Sequence, residues 1–183
     1  MKIAVFCSSK DNIDPLHNEA ARIVGQWIGA HKASLVYGGM NFGLMKIVAN
    51  QAKNYGAKVV GVIPITHKNA HAPLNDENIL VSDLNERKAI MTTLSDIFVV
   101  LPGGYGTLDE LITTFTSLSF ARNKSKKIII ININGLFDHT IAQLKAFADI
   151  HLMEPNLLHR INVVTNVNEC CLLLDKFHKN KTT

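Results

Sequence analysis

Short apolar runs alternate with segments of helical periodicity along this 183-residue chain. The strand-sized runs are 3–7, 34–37, 58–63, 78–81, 97–101, 127–133 and 161–164. The helical segments are 15–30, 44–55, 85–94, a segment that follows residue 107 and ends near 120, 136–150 and 168–178. Such alternation favours parallel strands joined by helical crossovers. We therefore predict an α/β fold, a doubly wound, Rossmann-like, mostly parallel sheet with helices on both faces.

Length and composition predict one globular domain over residues 1–183. Apolar residues make up 47% and charged residues 19%, which excludes a disordered chain. The longest apolar runs are far shorter than the ~20 residues that cross a bilayer. The apolar run after Met1 is too short for a secretory signal, so we expect a cytoplasmic protein with no membrane partner.

The net charge of +4 is mild and is not concentrated in a stripe with aromatic residues, so we predict a small anionic ligand rather than nucleic acid. The cysteines Cys7, Cys170 and Cys171 are odd in number and lack metal-ligand spacing, so we expect reduced thiols. His67 and His71 have a spacing that chelates metal on a helix, but they lie in a proline-bounded loop. We predict a solvated loop there and no metal.

Open sheets of this kind bind ligands beyond the carboxyl ends of their strands. Three of the predicted loops at that edge carry small residues. They are Ser8-Ser9, Gly38-Gly39 with Gly43, and the turn from Gly103 to Thr107. These loops are where we expect the site.

The segment PGGYGTLDE, from Pro102 to Glu110, places three glycines between a buried strand and a helix. Bare backbone N–H groups and the positive end of a helix dipole suit a phosphate. The segment matches neither a GxxxxGK[ST] loop nor a full GxGxxG motif, so it predicts phosphate binding without indicating ATP or NAD.

Two charged residues have a structural interpretation beside a functional one. Thr107 and Glu110 have the spacing of a helix-capping box, whereas a carboxylate beside a phosphate turn also suits a ribose hydroxyl or an attacking water. Arg87 is either an exposed arginine paired with Asp83 or Glu86, or a forked cation that clamps an anion.

The sequence resembles the LONELY GUY (LOG) family on two motifs. The family motif PGGxGTxxE is matched by Pro102, Gly103, Gly104, Gly106, Thr107 and Glu110, and a helical Arg-Lys followed by Met is matched by Arg87, Lys88 and Met91. Two motifs at the right separation are more specific than one. The resemblance also includes the Tyr37-Gly38-Gly39 turn and extends to about Phe120.

The resemblance implies a phosphoribohydrolase, which splits a nucleoside 5′-monophosphate into free base and ribose 5-phosphate without a cofactor. It implies Arg87 and Glu110 as the catalytic pair and a homodimer with sites near the subunit interface. The residues that it assigns to nucleotide binding are Lys88, Gly103, Gly104, Tyr105, Gly106, Thr107 and Thr116.

Several alternatives remain open at this point. The substrate is AMP or an N6-modified cytokinin nucleotide, and Glu110 orients the ribose, activates water or stabilises an oxocarbenium-like state. A non-catalytic nucleotide- or phosphate-binding module is the rival function, since a fold and a phosphate turn do not guarantee a reaction. Proteins with the glycine motif are often labelled lysine decarboxylases, an interpretation we reject because the chain is short for an enzyme with a pyridoxal Schiff base.

Overall fold

Strands and helices alternate along a computed structural model that describes residues 1–121 and 125–182. The strands are β1 (Lys2–Phe6), β2 (Ser34–Tyr37), β3 (Lys58–Pro64), β4 (Glu77–Val81), β5 (Ile97–Val100), β6 (Lys127–Ile131) and β7 (Ile161–Val164). The helices are α1 (Pro15–Ala30), α2 (Gly43–Asn54), α3 (Leu84–Leu94), α4 (Tyr105–Phe120), α5 (Asp138–Asp149) and α6 (Val167–Thr182). Short 3₁₀ turns cover Ile65–Ala70, Ile133–Gly135 and Pro155–Arg160.

The seven strands form one sheet in the order β4-β3-β2-β1-β5-β6-β7. Every neighbouring pair in it is parallel. The chain builds outward in one direction from β1 to β4 and then returns to the centre to begin β5. The predicted doubly wound, Rossmann-like fold is therefore confirmed, with strand order reversing between β1 and β5.

Alternate residues of the central strands face opposite sides of the sheet and bury two separate cores. Val5 and Val99 pack in the core that contains residues of α1, α2 and α6. Phe6 and Phe98 pack in the core that contains residues of α3, α4 and α5. Both faces of the sheet are thus covered, which explains why these strands are apolar along their whole length.

Two predicted boundaries differ from the structure in a way that affects the site. Helix α4 begins at Tyr105, with Gly104 as its N-cap, rather than after Thr107. The predicted loop between Pro64 and Pro73 contains the 3₁₀ turn Ile65–Ala70, and Met40 forms an isolated antiparallel bridge with His71. Among the helices described, none combines the length and the apolar character needed to span a bilayer.

Candidate active site

A pocket of about 440 Å³ opens at the carboxyl ends of β1 and β5, where strand order reverses. The backbone N–H of Ser8 donates a hydrogen bond of 3.1 Å to the carbonyl of Pro102, which joins the loops that follow these two strands. The two glycine turns and helix α3 complete the walls. The lining residues are Val5, Cys7, Ser8, Ser9, Lys10, Gly38, Met40, Met45, Pro64, His67, Leu84, Arg87, Gly104, Tyr105, Gly106, Thr107 and Glu110.

The first backbone N–H groups of α4 differ from those of α2 and α3, because no side chain among the described residues accepts a hydrogen bond from them. At α2, the carboxylate of Asp11 accepts from the N–H of Gly43 at 3.2 Å, and the carbonyl of Ser8 accepts from the next N–H at 3.0 Å. At α3, the carboxylate of Asp83 accepts from two backbone N–H groups. The first N–H groups of a helix have no acceptor within it. Those of α4 therefore offer the pocket donors and the positive end of a helix dipole.

The glycines of the α4 turn leave this helix end open. A Cβ atom added at Gly104 or Gly106 meets no atom of the described residues within 4 Å, so packing against residues 1–121 and 125–182 requires neither glycine. A Cβ atom at Gly103 instead meets the Thr107 side chain, which is buried against it. Gly103 therefore positions the turn, while Gly104 and Gly106 give a ligand close access to the backbone.

Glu110 and Arg87 meet across two helices in the pocket wall. Nη2 of Arg87 donates to Oε1 of Glu110 at 2.5 Å, and the side chain of Glu110 is 9% exposed. Thr107 and Glu110 do not form a capping box, because α4 begins two residues before Thr107 and the Glu110 carboxylate bonds to a side chain of α3. The capping interpretation of this spacing is wrong.

Arg87 does not use the acidic partners next to it in sequence. Asp83 caps α3, and Glu86 accepts from the N–H of Ser82 at 2.6 Å. Nε of Arg87 is buried and has no hydrogen-bond partner in the part of the chain that the structure describes. A buried donor without an acceptor is costly, so this N–H group needs an acceptor from a ligand or a water molecule.

Burial controls the ionisation of the groups at the bottom of the pocket. It raises the pKa of Glu110 above its usual 4.5, and the positive charge of Arg87 opposes this rise. Burial likewise raises the pKa of the Cys7 thiol, and the negative charge of Glu110 adds to the effect. Cys7 is therefore a neutral thiol at physiological pH, and a carboxylate at Glu110 depends on Arg87.

The structure brings six of the nine predicted site residues into the pocket lining, namely Arg87, Glu110, Gly104, Tyr105, Gly106 and Thr107. Tyr105 is 94% exposed, so it contributes its backbone, rather than its side chain, to the helix end in the pocket wall. Lys88 is buried, and its ammonium group bonds to both carboxylate oxygens of Asp109, at 2.6 and 2.8 Å. Thr116 is exposed and lies nine residues beyond Thr107, about 13 Å further along the helix axis.

The remaining wall of the pocket is mainly apolar and comes from other parts of the chain. Met40 and Met45 belong to the second glycine turn and α2, Pro64 ends β3, and Leu84 begins α3. His67 also lines the pocket, so it does more than occupy a solvated loop. No sequence signal indicated Leu84, whereas the rule for ligands at strand ends pointed to the loop at Ser8-Ser9.

The histidines of the 3₁₀ turn have local partners. Nδ1 of His67 lies 2.9 Å from the hydroxyl of Thr66, and Nδ1 of His71 lies 2.6 Å from the carbonyl of Lys68. Across residues 1–121 and 125–182, no group of three histidine, cysteine or acidic residues is arranged to hold a metal ion.

The parallel sheet and this pocket define a Rossmann-like α/β protein with an uncapped helix end at its topological switch point. A family model described as "Possible lysine decarboxylase" matches residues 45–174, well over half of the chain. The chain belongs to this family, to which the LOG proteins belong.

Relatives with curated names match over most of the chain. A cytokinin riboside 5′-monophosphate phosphoribohydrolase of Arabidopsis thaliana is 30% identical over 178 residues, which cover 96% of this chain and 78% of the relative. A protein of the same name from Mycobacterium tuberculosis is 35% identical over 172 residues, which cover 91% and 89%. The molybdenum cofactor carrier protein of Chlamydomonas reinhardtii has a similar structure, with a TM-score of 0.76, 18% identity and 98% of both chains covered. That structural likeness concerns the fold alone.

We expect the substitution Gly106→Ala to weaken ribose 5-phosphate binding by at least about tenfold, because a methyl group blocks the approach to the first N–H groups of α4. The free energy of unfolding should stay the same or rise by about 0.4–1 kcal/mol, since alanine suits a helix better than glycine. Isothermal titration calorimetry and urea unfolding measure the two effects. Undiminished affinity in this variant would show that the phosphate binds elsewhere.

Proposed function

We propose that the protein hydrolyses the N-glycosidic bond of a nucleoside 5′-monophosphate, AMP or a cytokinin riboside 5′-monophosphate, to free base and ribose 5-phosphate. The observation that carries this proposal is the buried Arg87–Glu110 pair in the same pocket as the uncapped N-terminus of α4. The names of the relatives support it, since proteins at least 30% identical over most of the chain are phosphoribohydrolases by name.

The phosphate binds at the N-terminus of α4 in this proposal. Backbone N–H groups of Tyr105, Gly106 and Thr107 donate to its oxygens, and the helix dipole favours its charge. The capped N-termini of α2 and α3 cannot serve in the same way, because protein acceptors already occupy their first donors. The phosphate thus has one defined position, which fixes the direction in which the nucleotide extends.

The ribose then lies next to Glu110, about one helical turn beyond the phosphate turn. Cleavage breaks the bond between C1′ and the base nitrogen, forms a bond from C1′ to the oxygen of a water molecule, and leaves a proton of that water on the departing base. The reaction passes through an oxocarbenium-like state. The carboxylate of Glu110 stabilises the positive charge on the sugar, or accepts a proton from the water that attacks C1′, or holds a ribose hydroxyl. The positive charge of Arg87 favours the ionised form of this carboxylate.

The base occupies the apolar side of the pocket in this arrangement. Met40, Met45, Pro64 and Leu84 provide contacts for a flat ring or for an attached alkyl chain, because methionine side chains adapt to irregular shapes. His67 is the polar side chain on this wall that reaches the pocket from the 3₁₀ turn. This surface is therefore where AMP and N6-modified nucleotides are distinguished.

We also propose a homodimer in which α4 contributes to the subunit interface. Tyr105, Ile112, Thr116 and Phe120 are exposed and lie within one stripe of α4, since they are spaced by seven, four and four residues. This stripe, which we name the α4 stripe, is mainly apolar and begins at the phosphate turn. Thr116 would reach a nucleotide across such an interface rather than in its own pocket.

The cytoplasm is the compartment we propose. All three cysteines are free thiols, and thiols persist where the environment is reducing.

We expect the purified protein to release free base from AMP or from isopentenyladenosine 5′-monophosphate, and Glu110→Gln to abolish this turnover while keeping nucleotide affinity. The amide retains the shape of the side chain but has no negative charge for the transition state. Chromatography of the base and calorimetric titration of AMP provide the two measurements. If the unmodified protein binds both nucleotides and cleaves neither, it is a non-catalytic nucleotide-binding module.

We expect the low-pH limb of the kcat/KM profile to lie above pH 4.5, the usual pKa of a glutamate side chain. Burial favours the neutral carboxyl group, so a higher pH is needed to ionise Glu110, and activity is lost as the pH falls through that raised pKa. Initial rates between about pH 4 and pH 8 test this expectation. A limb at or below 4.5 would mean that Glu110 is not the ionising group.

We expect sedimentation equilibrium to give a mass twice the 20.2 kDa of one chain. Phe120→Glu places a charge on the α4 stripe and should produce monomers, because a buried unpaired charge opposes association. Leu152→Glu is the matched control, since Leu152 is 73% exposed but lies outside α4. A monomeric unmodified protein, or dissociation by both variants alike, contradicts the proposed interface.

A further inference from the structure

Helices α3 and α4 are joined by two ion pairs at neighbouring positions. Arg87 and Lys88 are consecutive in α3, and Asp109 and Glu110 are consecutive in α4. Arg87 pairs with Glu110 at 2.5 Å, and Lys88 pairs with Asp109 at 2.6 Å. The pairing is antiparallel in sequence, since the first of the two charged residues on one helix pairs with the second of the two on the other.

The Lys88–Asp109 pair has an unusual distribution of exposure. The side chain of Lys88 is 10% exposed, whereas that of Asp109 is 53% exposed. An ammonium group this buried needs an acceptor, because an unpaired buried charge is strongly unfavourable. Asp109 is itself held within α4, where the hydroxyl of Thr113 donates to Oδ1 at 3.3 Å. Lys88 is thus bonded to a carboxylate with a fixed position on its own helix.

Two adjacent pairs constrain the helices more than one pair does. Consecutive residues of an α-helix are about 100° apart around its axis, so the two pairs contact each helix at two different angles around that axis. Rotation of α4 that keeps one pair would break the other. Contacts nearer the end of α3 support the same alignment, because the hydroxyls of Thr92 and Thr114 lie 3.3 Å apart.

We propose that Lys88 is a positioning residue, which acts through Asp109 to set the rotation of α4 and so to aim the Glu110 carboxylate at the ribose. The consequence for catalysis rests on the proposed function, whereas the effect on the Arg87–Glu110 pair does not. This role differs from the nucleotide contact that the family resemblance implies for Lys88. The ammonium group already has both carboxylate oxygens of Asp109 as acceptors.

The test compares Lys88→Met, Asp109→Asn and the double variant. We expect each to lower kcat by at least about tenfold, because displacement of a reacting group by a fraction of an ångström is costly. KM should remain within about threefold of the original value, since neither residue is among those that line the pocket. The double variant should be no worse than the single ones, because both substitutions remove the same interaction.

Lys58→Met is the matched control, since Lys58 forms an ion pair with Glu77 at 2.7 Å on the outer strands of the sheet. It should leave kcat unchanged. The role of Lys88 is overturned if Lys88→Met raises KM at least about tenfold while Asp109→Asn changes neither constant, because Lys88 then binds the nucleotide directly. It is also overturned if both variants keep the original kcat.

A second measurement separates this proposal from the proposed function. Nitrogen-15 NMR of arginine side chains reports whether the Arg87 guanidinium group is held by Glu110, and it requires no turnover. We expect Lys88→Met and Asp109→Asn both to shift or broaden the Arg87 signal, and Lys58→Met to leave it in place. If the protein cleaves no nucleotide but these shifts occur, the proposed activity fails and the positioning role stands. Unchanged Arg87 signals in both variants refute the positioning role.

Discussion

The parallel pairing of β1 with β5 is the constraint on which the pocket depends. Strands that are far apart in sequence become neighbours at the centre of the sheet, and the loops after them leave its edge side by side. The hydrogen bond between Ser8 and Pro102 joins these loops directly. Because α4 starts at the second of these loops, its free N–H groups face the gap where strand order reverses. The position of these donors is thus a property of topology.

Most elements of the fold could be predicted from the sequence because periodicity and chain breakers act locally. β2 (Ser34–Tyr37) and β7 (Ile161–Val164) have the predicted bounds, and α1 begins at Pro15 as expected. The start of α4 could not be read in this way. Thr107 and Glu110 have the spacing of a capping box, yet the N-cap is Gly104, and no side-chain hydrogen bond caps the helix there. An uncapped end with two glycines is disfavoured by helix propensity and is what the proposed phosphate site requires.

The candidate site was predicted in part. The glycine turn is a continuous segment, so its chemistry is visible in the sequence. Arg87 and Glu110 are 23 residues apart, and only their family resemblance associated them before their contact was seen. Leu84 carries no signal, and the spacing of His67 and His71 suggested only a metal site, since nothing local to either Leu84 or His67 indicates which wall of the pocket it faces. The pairing of Lys88 with Asp109 could not be predicted either, because it depends on how α3 and α4 align in the fold.

The bridge between Met40 and His71 ties the 3₁₀ turn to the loop after β2, on the opposite half of the sheet from α4. The N–H of Ala72 strengthens this tie by donating to the carbonyl of Gly39 at 2.8 Å. Met40 and His67 therefore lie in the segments that follow β2 and β3, whereas Glu110 lies on α4, which follows β5. In the proposed function, substitutions in the segments after β2 and β3 would change which nucleobase is accepted while leaving Glu110 in place.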